Sequence, residues 1–240
     1  MSWIEPPSGS APPAALVTGA SRGTGLAIAR ELHRRGYRVG ALNRTRLGED
    51  WLHEYLCDLT EPDAVDAAVA DVLRDFGRLD ACVTSAVVRR LGRIEELAPH
   101  LWDESVAVNL TSVFRVVRAT LPAIRASAGS YVIMGSHAGA RFFEGGAAYG
   151  ATKAALKVLV ETLLLEERAH GVRATLISAG AIANRHGDET PYKMTTRSVA
   201  RCVGALVQQQ PRDLVVGDLE IRPARLPEPQ VAGIARLQHV

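Results

Sequence analysis

The chain has 240 residues, 47% of them hydrophobic, and 28 basic side chains against 26 acidic ones leave a formal net charge of +2. That length supports one sizeable core and no obvious second domain, and the near balance of charge gives no electrostatic case for nucleic acid or an acidic membrane. Cys57, Cys82 and Cys202 are far apart and lack CxxC or Cys/His spacing, which argues against a disulfide framework or a zinc site; no metal is expected, and a reducing cytoplasm fits best.

In chain order, residues 1–13 are rich in Pro, Ser and Gly, carry no basic n-region or apolar h-region, and are expected to form a flexible lead-in. "ALVTGA" (15–20) is a short apolar run ending in Gly, hence a buried strand. "LAIARELHRRG" (26–36) has apolar residues at helical spacing and a Gly stop. Strands follow at 37–42 and 54–59. Residues 61–77 form a helix, with Pro62 at its start, acids in the first turn and Gly77 as its stop. A strand at 79–84 precedes a long helix over roughly 103–120, whose end Pro122 is expected to disturb. Next come a strand at 130–136, a helix at 149–169 closed by Gly171, a strand at 172–178, a helix at 196–209 and a last short strand at 219–222. Residues 223–240 read as a tail. No apolar run approaches the ~20 residues of a membrane span.

Strict alternation of near-continuous apolar strands with helices implies an α/β, doubly wound, mainly parallel sheet of about seven strands in a single Rossmann-type domain over 14–222. Ligands of such sheets bind beyond the carboxyl ends of the strands, so the loops after strands are the informative places.

The first such loop is "TGASRGTGLAIA" (18–29). Gly19, Gly23 and Gly25 let the backbone turn tightly and approach a pyrophosphate, and the helix that follows offers free N–H groups and the positive end of its dipole. Ser21, Arg22 and Thr24 lie in the same turn. Further on, Ser136 stands at a strand's carboxyl end, Tyr149 follows thirteen residues later, Lys153 four beyond that, and Asn109 sits in the long helix before the Ser strand. Each has an ordinary structural explanation alone. In this order, behind a TGxxxGxG loop, the set resembles the short-chain dehydrogenase/reductase family, and the resemblance covers about residues 14–222.

The chemistry accounts for the residue types. Reducing a ketone takes a hydride to carbon and a proton to oxygen; a nicotinamide supplies the first and the protein the second. Tyrosine is a donor with an ordinary pKa of about 10, which a nearby ammonium should lower. Lys153 is expected to supply that charge and bind the nicotinamide ribose. Ser136 is expected to hydrogen-bond the substrate oxygen. The resemblance implies that Asn109 holds a water relaying protons to Lys153.

For the cofactor, the loop after the second strand reads "ALNRTR", with no acid to hydrogen-bond a free ribose 2′-OH. Arg44, with Arg46 and Arg22 in support, suits a 2′-phosphate, so NADP(H) is expected. The resemblance places Asp58, with Leu59 beside it, at the adenine ring, and the backbone near Ile182 at the nicotinamide carboxamide. Two motifs depart from the family: "TSAV" (84–87) stands for NNAG, keeping Ser85 and Ala86 at the cofactor, and "SAG" (178–180) replaces the usual Pro-Gly. His137, Arg141, Phe142 and Phe143 are candidate pocket residues, and the polar segment 185–196 reads as a short lid.

The expected activity is therefore an NADPH-dependent ketoreductase acting on a small carbonyl or secondary alcohol. The altered motifs leave a non-redox isomerase, dehydratase or cyclase as the alternative, and a non-catalytic cofactor-binding regulator as a third reading. The apolar width of the 149–169 helix exceeds one core-facing stripe, and a homo-oligomer, a tetramer or dimer, is expected through it and the 103–125 helix.

Overall fold

The inner strands arise where the chain is apolar without a break, because they are covered on both faces. The structure, a computed structural model, describes residues 11–185, 187–208 and 213–225. Its elements are β1 (Ala14–Thr18), α1 (Gly23–Arg34), β2 (Arg38–Asn43), β3 (Leu52–Leu56), α2 (Pro62–Phe76), β4 (Ala81–Thr84), α3 (Pro99–Val106), α4 (Ser112–Ala126), β5 (Ser130–Met134), α5 (Ala147–Glu167), β6 (Arg173–Ala179), β7 (Ile182–Ala183), β8 (Met194–Thr195), α6 (Thr196–Gln208) and β9 (Asp218–Ile221). The expected lead-in and tail fall largely outside the described residues.

Seven strands form one parallel sheet in the order β3-β2-β1-β4-β5-β6-β9. Leu16 of β1 lies between Gly40 of β2 and Cys82 of β4. Alternate residues feed opposite cores: Leu16, Ile133 and Leu176 pack with residues of α2, α4 and α5, whereas Val17, Val132 and Ile177 pack with residues of α1 and α6. Every residue of β1, β4 and β5 is buried. Truncating a fully buried leucine such as Leu16 or Leu156 would cost about 2–5 kcal/mol. Strand order reverses between β1 and β4, which opens the crevice where this fold class binds ligands.

Helix ends follow the sequence signals. Pro62 starts α2, and Gly77 ends it at φ 71°, the left-handed conformation that suits glycine. In α1, Glu31 accepts hydrogen bonds from Arg34 (2.7 and 2.9 Å) and Arg35 (2.8 Å). These cations, Arg34 foremost, hold its carboxyl at about 2. The Arg35 guanidinium then lies against Gly204 of α6, where a Cβ would come within 2.4 Å of its Nε.

Two expectations need correction. The helix expected over 103–120 begins at Pro99, passes through a π-helical turn at Ala107–Thr111 and runs on to Ala126. Pro122 therefore sits inside α4. Its missing N–H does not end the helix, because Ile124 is buried beyond it and Arg125 forks onto Glu167 of α5 at 2.6 and 2.8 Å. The strand expected at 54–59 occupies Leu52–Leu56 instead, and the chain then turns at Asp58, whose side chain accepts from the Thr60 amide and hydroxyl.

Candidate active site

The glycine loop is built by close backbone approach. A Cβ on Gly19 (φ 68°) would lie 2.7 Å from Ala86 Cα, and one on Gly25 would lie 2.2 Å from the Gly19 carbonyl oxygen. The Thr18 hydroxyl ties this loop to the one after β4, accepting from the Ser85 amide at 3.1 Å and the Ala86 amide at 3.2 Å. Helix α1 starts at Gly23, and Arg22 at its cap position makes no side-chain capping bond. Asn184, from beyond β7, caps it instead: its Oδ1 accepts from the Thr24 N–H at 2.7 Å and the Thr24 hydroxyl at 2.9 Å. An oxygen thus already sits on the α1 N-terminus, the position where a pyrophosphate oxygen suits the free amides and the dipole.

Beyond β2, Arg44 and Arg46 are exposed and make no ion pair among the described residues. The sequence expectation of no acid here needs correction. Glu54 of β3 reaches the loop and accepts from the Leu47 amide (2.7 Å), the Gly48 amide (2.8 Å) and Asn43 Nδ2 (3.2 Å). Burial works to raise its pKa, but the Gly48 and Leu47 amides, Asn43 and Arg46 outweigh it and keep the carboxyl below its ordinary value. Glu54 therefore shapes the loop with its lone pairs occupied. Asp58 is likewise held below the ordinary range, by the Thr60 amide and hydroxyl and, more weakly, by Arg44. Leu59 beside it is buried.

The "TSAV" departure imposes no left-handed backbone on a side chain. Among the described residues only Ala128 is a non-glycine at positive φ, so Val87 is not forced into a glycine-only conformation. Thr84 Oγ1 is buried without a hydrogen-bond partner at the carboxyl end of β4.

The Ser–Tyr–Lys set converges. Ser136 follows β5 and accepts from the Ala138 amide at 3.2 Å, capping a short 3-10 turn over His137–Gly139. That turn lies flat on α5, since a Cβ on Gly139 would fall 2.9 Å from the Lys153 backbone. Lys153 is 5% exposed, and its Nζ donates to the Met134 carbonyl at 2.6 Å. Burial lowers its pKa to about 8. The Ser136 side chain acts on the Tyr149 hydroxyl in the direction that favours its ionised form.

The expected effect of Lys153 on Tyr149 needs correction. Burial is the dominant influence on Tyr149 and raises its pKa; the Ser136 side chain and the charge of Arg89 pull down without overcoming it. Lys153 Nζ stands 5.9 Å from the centre of the Tyr149 ring, bonded to a carbonyl. Asn109, fully buried in the π turn, clasps the main chain of Val88: Oδ1 accepts from its amide and Nδ2 donates to its carbonyl, both at 2.9 Å. Nδ2 also donates to Thr152 Oγ1 at 3.3 Å. These bonds occupy the side chain, so Asn109 orders the loop after β4 against α5.

Sequence reasoning missed Arg89, whose guanidinium lies 5.9 Å from the Tyr149 ring centre. Its only signal was its place just after "TSAV". His137 is buried and turns away from Tyr149 toward Gly180 and Glu220, lying 3.0 Å from the latter. With Arg141, Ser178 and Asp218 it lines a separate cavity of about 510 Å³. Phe143 packs on Gly146, and Phe142 is exposed. Ile182 lies in β7, which pairs with β8 inside the 185–196 segment that the sequence reads as a short polar lid.

The glycine cradle, the α1 N-terminus, the unpartnered Thr84 hydroxyl and the Ser–Tyr–Lys group share the carboxyl edge of the sheet, and these residues fit a nicotinamide dinucleotide. The short chain dehydrogenase family profile matches residues 13–193. D-threitol dehydrogenase of Mycolicibacterium smegmatis is 33% identical over 185 residues, which cover 72% of this chain and 71% of that protein. A solved alcohol dehydrogenase from the archaeon Thermococcus sibiricus, complexed with 5-hydroxy-NADP, superposes with a TM-score of 0.82 at 28% identity, covering 90% of this chain and 99% of its own. A 3-ketoacyl-ACP reductase from Sinorhizobium meliloti gives a TM-score of 0.80 at 31% identity over 87% and 97% of the two chains. The chain belongs to the short-chain dehydrogenase family: it is an oxidoreductase acting on alcohol or carbonyl groups, on a fold that binds a nicotinamide cofactor.

Proposed function

We propose that this chain is an NADP(H)-dependent reductase of a small ketone, run in the cell toward the alcohol, with residues 14–222 as its single catalytic unit. The carrying observation is the convergence of Ser136, at the carboxyl end of β5, with Tyr149 and the buried Lys153 of α5, whose Nζ lies 5.9 Å from the Tyr149 ring centre. When bound, the nicotinamide supplies the hydride to the carbonyl carbon. Tyr149 gives its hydroxyl proton to the carbonyl oxygen, and Ser136 donates a hydrogen bond to that oxygen as charge builds on it. A raised tyrosine pKa keeps the donor protonated at neutral pH. Ser136 and the charge of Arg89 favour the tyrosinate left behind, and Lys153, still mostly cationic below pH 8, would hold the nicotinamide ribose. Asn109 fixes the loop that faces them.

Gly19, Ser21, Arg22, Thr24 and Gly25 would cradle the pyrophosphate, and Arg44 the ribose 2′-phosphate. Asp58 and Leu59 would border the adenine, Ser85 and Ala86 the nicotinamide side, and Ile182 the carboxamide. Arg44 and Arg22 support NADP(H): both are exposed, cationic and unpaired among the described residues, whereas the nearby acid Glu54 is occupied by loop amides. The three thiols are free, in keeping with a reducing cytoplasm. Among the described residues no helix is long and apolar enough to cross a membrane. Phe114 on α4 and Val158 and Leu165 on α5 are exposed apolar side chains that support a homo-oligomer built on these helices.

The test is NADPH consumption with a panel of small ketones. Turnover that Tyr149→Phe abolishes while NADPH still binds is expected. NADPH binding with no turnover on any ketone or alcohol would overturn the reading.

A further inference from the structure

Two adjacent arginines leave the loop after β4, and the structure treats them differently. Arg90 is committed: its Nε and Nη2 fork onto Glu104 at 2.5 and 2.8 Å. Arg89 is exposed and has no carboxylate or hydrogen-bond partner among the described residues; its one contact is over the Tyr149 ring at 5.9 Å. The backbone beneath it is fixed on both sides. Val88 is clasped by Asn109, and the Gly92 amide donates to the Gly145 carbonyl at 3.0 Å, tying this loop to the segment that leads into Tyr149. Arg89 is therefore held at the reaction centre by bonds it does not itself make.

Glu104, the acid of the neighbouring helix, belongs to Arg90, and no carboxylate pairs with Arg89 among the described residues. Lys153, buried, adds a second cation that has no acid partner among the described residues. The site thus carries positive charge that the protein does not neutralise. A guanidinium presents a planar fork of N–H donors that matches a carboxylate in two bonds.

We propose that Arg89 is the substrate anchor of this site, and that the ketone reduced here carries a carboxylate a few atoms from its carbonyl. This rests on the ketoreductase reading. The carboxylate binds the Arg89 fork while the carbonyl oxygen meets Tyr149 and Ser136. Arg89 thereby selects oxo acids over neutral ketones of the same size, because a neutral partner leaves the guanidinium unmatched. No bond is made or broken at Arg89.

The experiment compares matched probes that differ only in charge, acetoacetate against acetoacetamide and levulinate against levulinamide, on wild type, Arg89→Gln and Arg89→Lys. Arg89 makes no structural bond, so the variants are expected to fold as wild type does. The expected result is a wild-type preference for the acids over the amides in kcat/KM that falls about tenfold to a hundredfold in Arg89→Gln, the size of losing one charge-assisted pair, the amides losing far less than the acids. Arg89→Lys recovers part of it. Binding of the same probes in the presence of NADPH, read by NMR line broadening, reports the anchor without turnover. Acid-selective binding that Arg89→Gln removes, with no turnover of any probe, would uphold the anchor and sink the ketoreductase reading. Equal handling of acids and amides by wild type would overturn the anchor. So would an equal loss on both probe types with a displaced pH profile, which would assign Arg89 to tuning Tyr149.

Discussion

The side-chain oxygen of Asn184 lies 2.7 Å from the amide nitrogen of Thr24, a contact that spans 160 residues of chain and caps α1, the helix proposed to meet the cofactor's phosphates. Gly23 leaves room for it, since a Cβ there would fall 2.3 Å from that oxygen. On that proposal the protein places one of its own oxygens where a ligand oxygen would bind. Removing it should act in opposite directions on the free and bound states. Asn184→Ala is expected to destabilise the cofactor-free chain by about 0.5–2 kcal/mol, the range for a lost helix cap. The dissociation constant for the nicotinamide cofactor is expected to fall, because the amide no longer has to exchange partners. Thermal unfolding without cofactor and titration calorimetry with it check the two halves; a lower melting temperature with weaker binding would reject the competition.

Lys153 gives a prediction with a defined sign. Its folded pKa of about 8 lies below the ordinary 10.5, so the folded state disfavours the charged form. Below pH 8 both states hold the proton and the penalty is constant. Between about 8 and 10.5 the unfolded state binds more protons, so this group makes the chain more stable as pH rises. Cys57 and Cys82, pushed up by burial to about 11 and 12, act in the opposite sense above pH 9, so the measurement must be a difference. Lys153→Met is expected to gain on wild type most at neutral pH, with the gap closing across that window in denaturant titrations. A gap independent of pH would mean that Lys153 is not titrating near 8.

Arg44 offers a test of cofactor choice. It is exposed and unpaired among the described residues, so its loss should leave the fold alone. Arg44→Ala is expected to weaken NADP⁺ binding about tenfold, as for one charge-assisted phosphate contact, and to change NAD⁺ binding by less than about twofold. Fluorescence titration with both dinucleotides reads this directly. Equal effects on the two would remove Arg44 from the 2′-phosphate.

Asn109→Ala should unfasten the loop after β4. The Val88 amide and carbonyl both lose their side-chain partner, at a cost of about 1–3 kcal/mol for each group left buried and unsatisfied. The same loop carries Arg89, so turnover should fall along with stability. An Asn109→Asp variant separates the roles: it can still accept from the Val88 amide but offers no N–H to the carbonyl. It is expected to fall between wild type and alanine in both melting temperature and kcat. A variant as stable as wild type but inactive would return Asn109 to a direct role in proton relay.

Much of the fold was legible because buried parallel strands read as unbroken apolar runs and helix ends carry local marks such as Pro62 and Gly77. The Ser136–Tyr149–Lys153 group was legible because its members lie on neighbouring elements at fixed spacing. What sequence did not disclose depends on contacts between distant residues. Glu54 lies seven residues after Leu47, yet only the β2–β3 pairing turns its carboxylate into the staple of the Arg44 loop. Asn184 on Thr24 and Asn109 on Val88 are likewise tertiary bonds, and the π turn has no composition of its own. The direction of the Tyr149 shift went wrong for a related reason. Spacing put a lysine beside the tyrosine, but burial and a carbonyl that engages that lysine decide the balance.

The outer faces of α4 and α5 give the last prediction. Phe114 is 52% exposed, Val158 69% and Leu165 68%. Val158 and Leu165 are seven apart on α5, so they share one face of the helix. Apolar side chains clustered this way on a soluble surface are costly to hydrate, and a second copy of the same helices would cover them. A Val158→Glu, Leu165→Glu double variant should place two carboxylates in that interface and convert the oligomer to a monomer in light scattering, with the far-ultraviolet circular dichroism of the helices retained. Because the Tyr149–Lys153 face of α5 points into the site, the monomer is expected to bind cofactor as the parent does. Unchanged mass in the double variant, or a monomeric parent, would rule out this face as the interface.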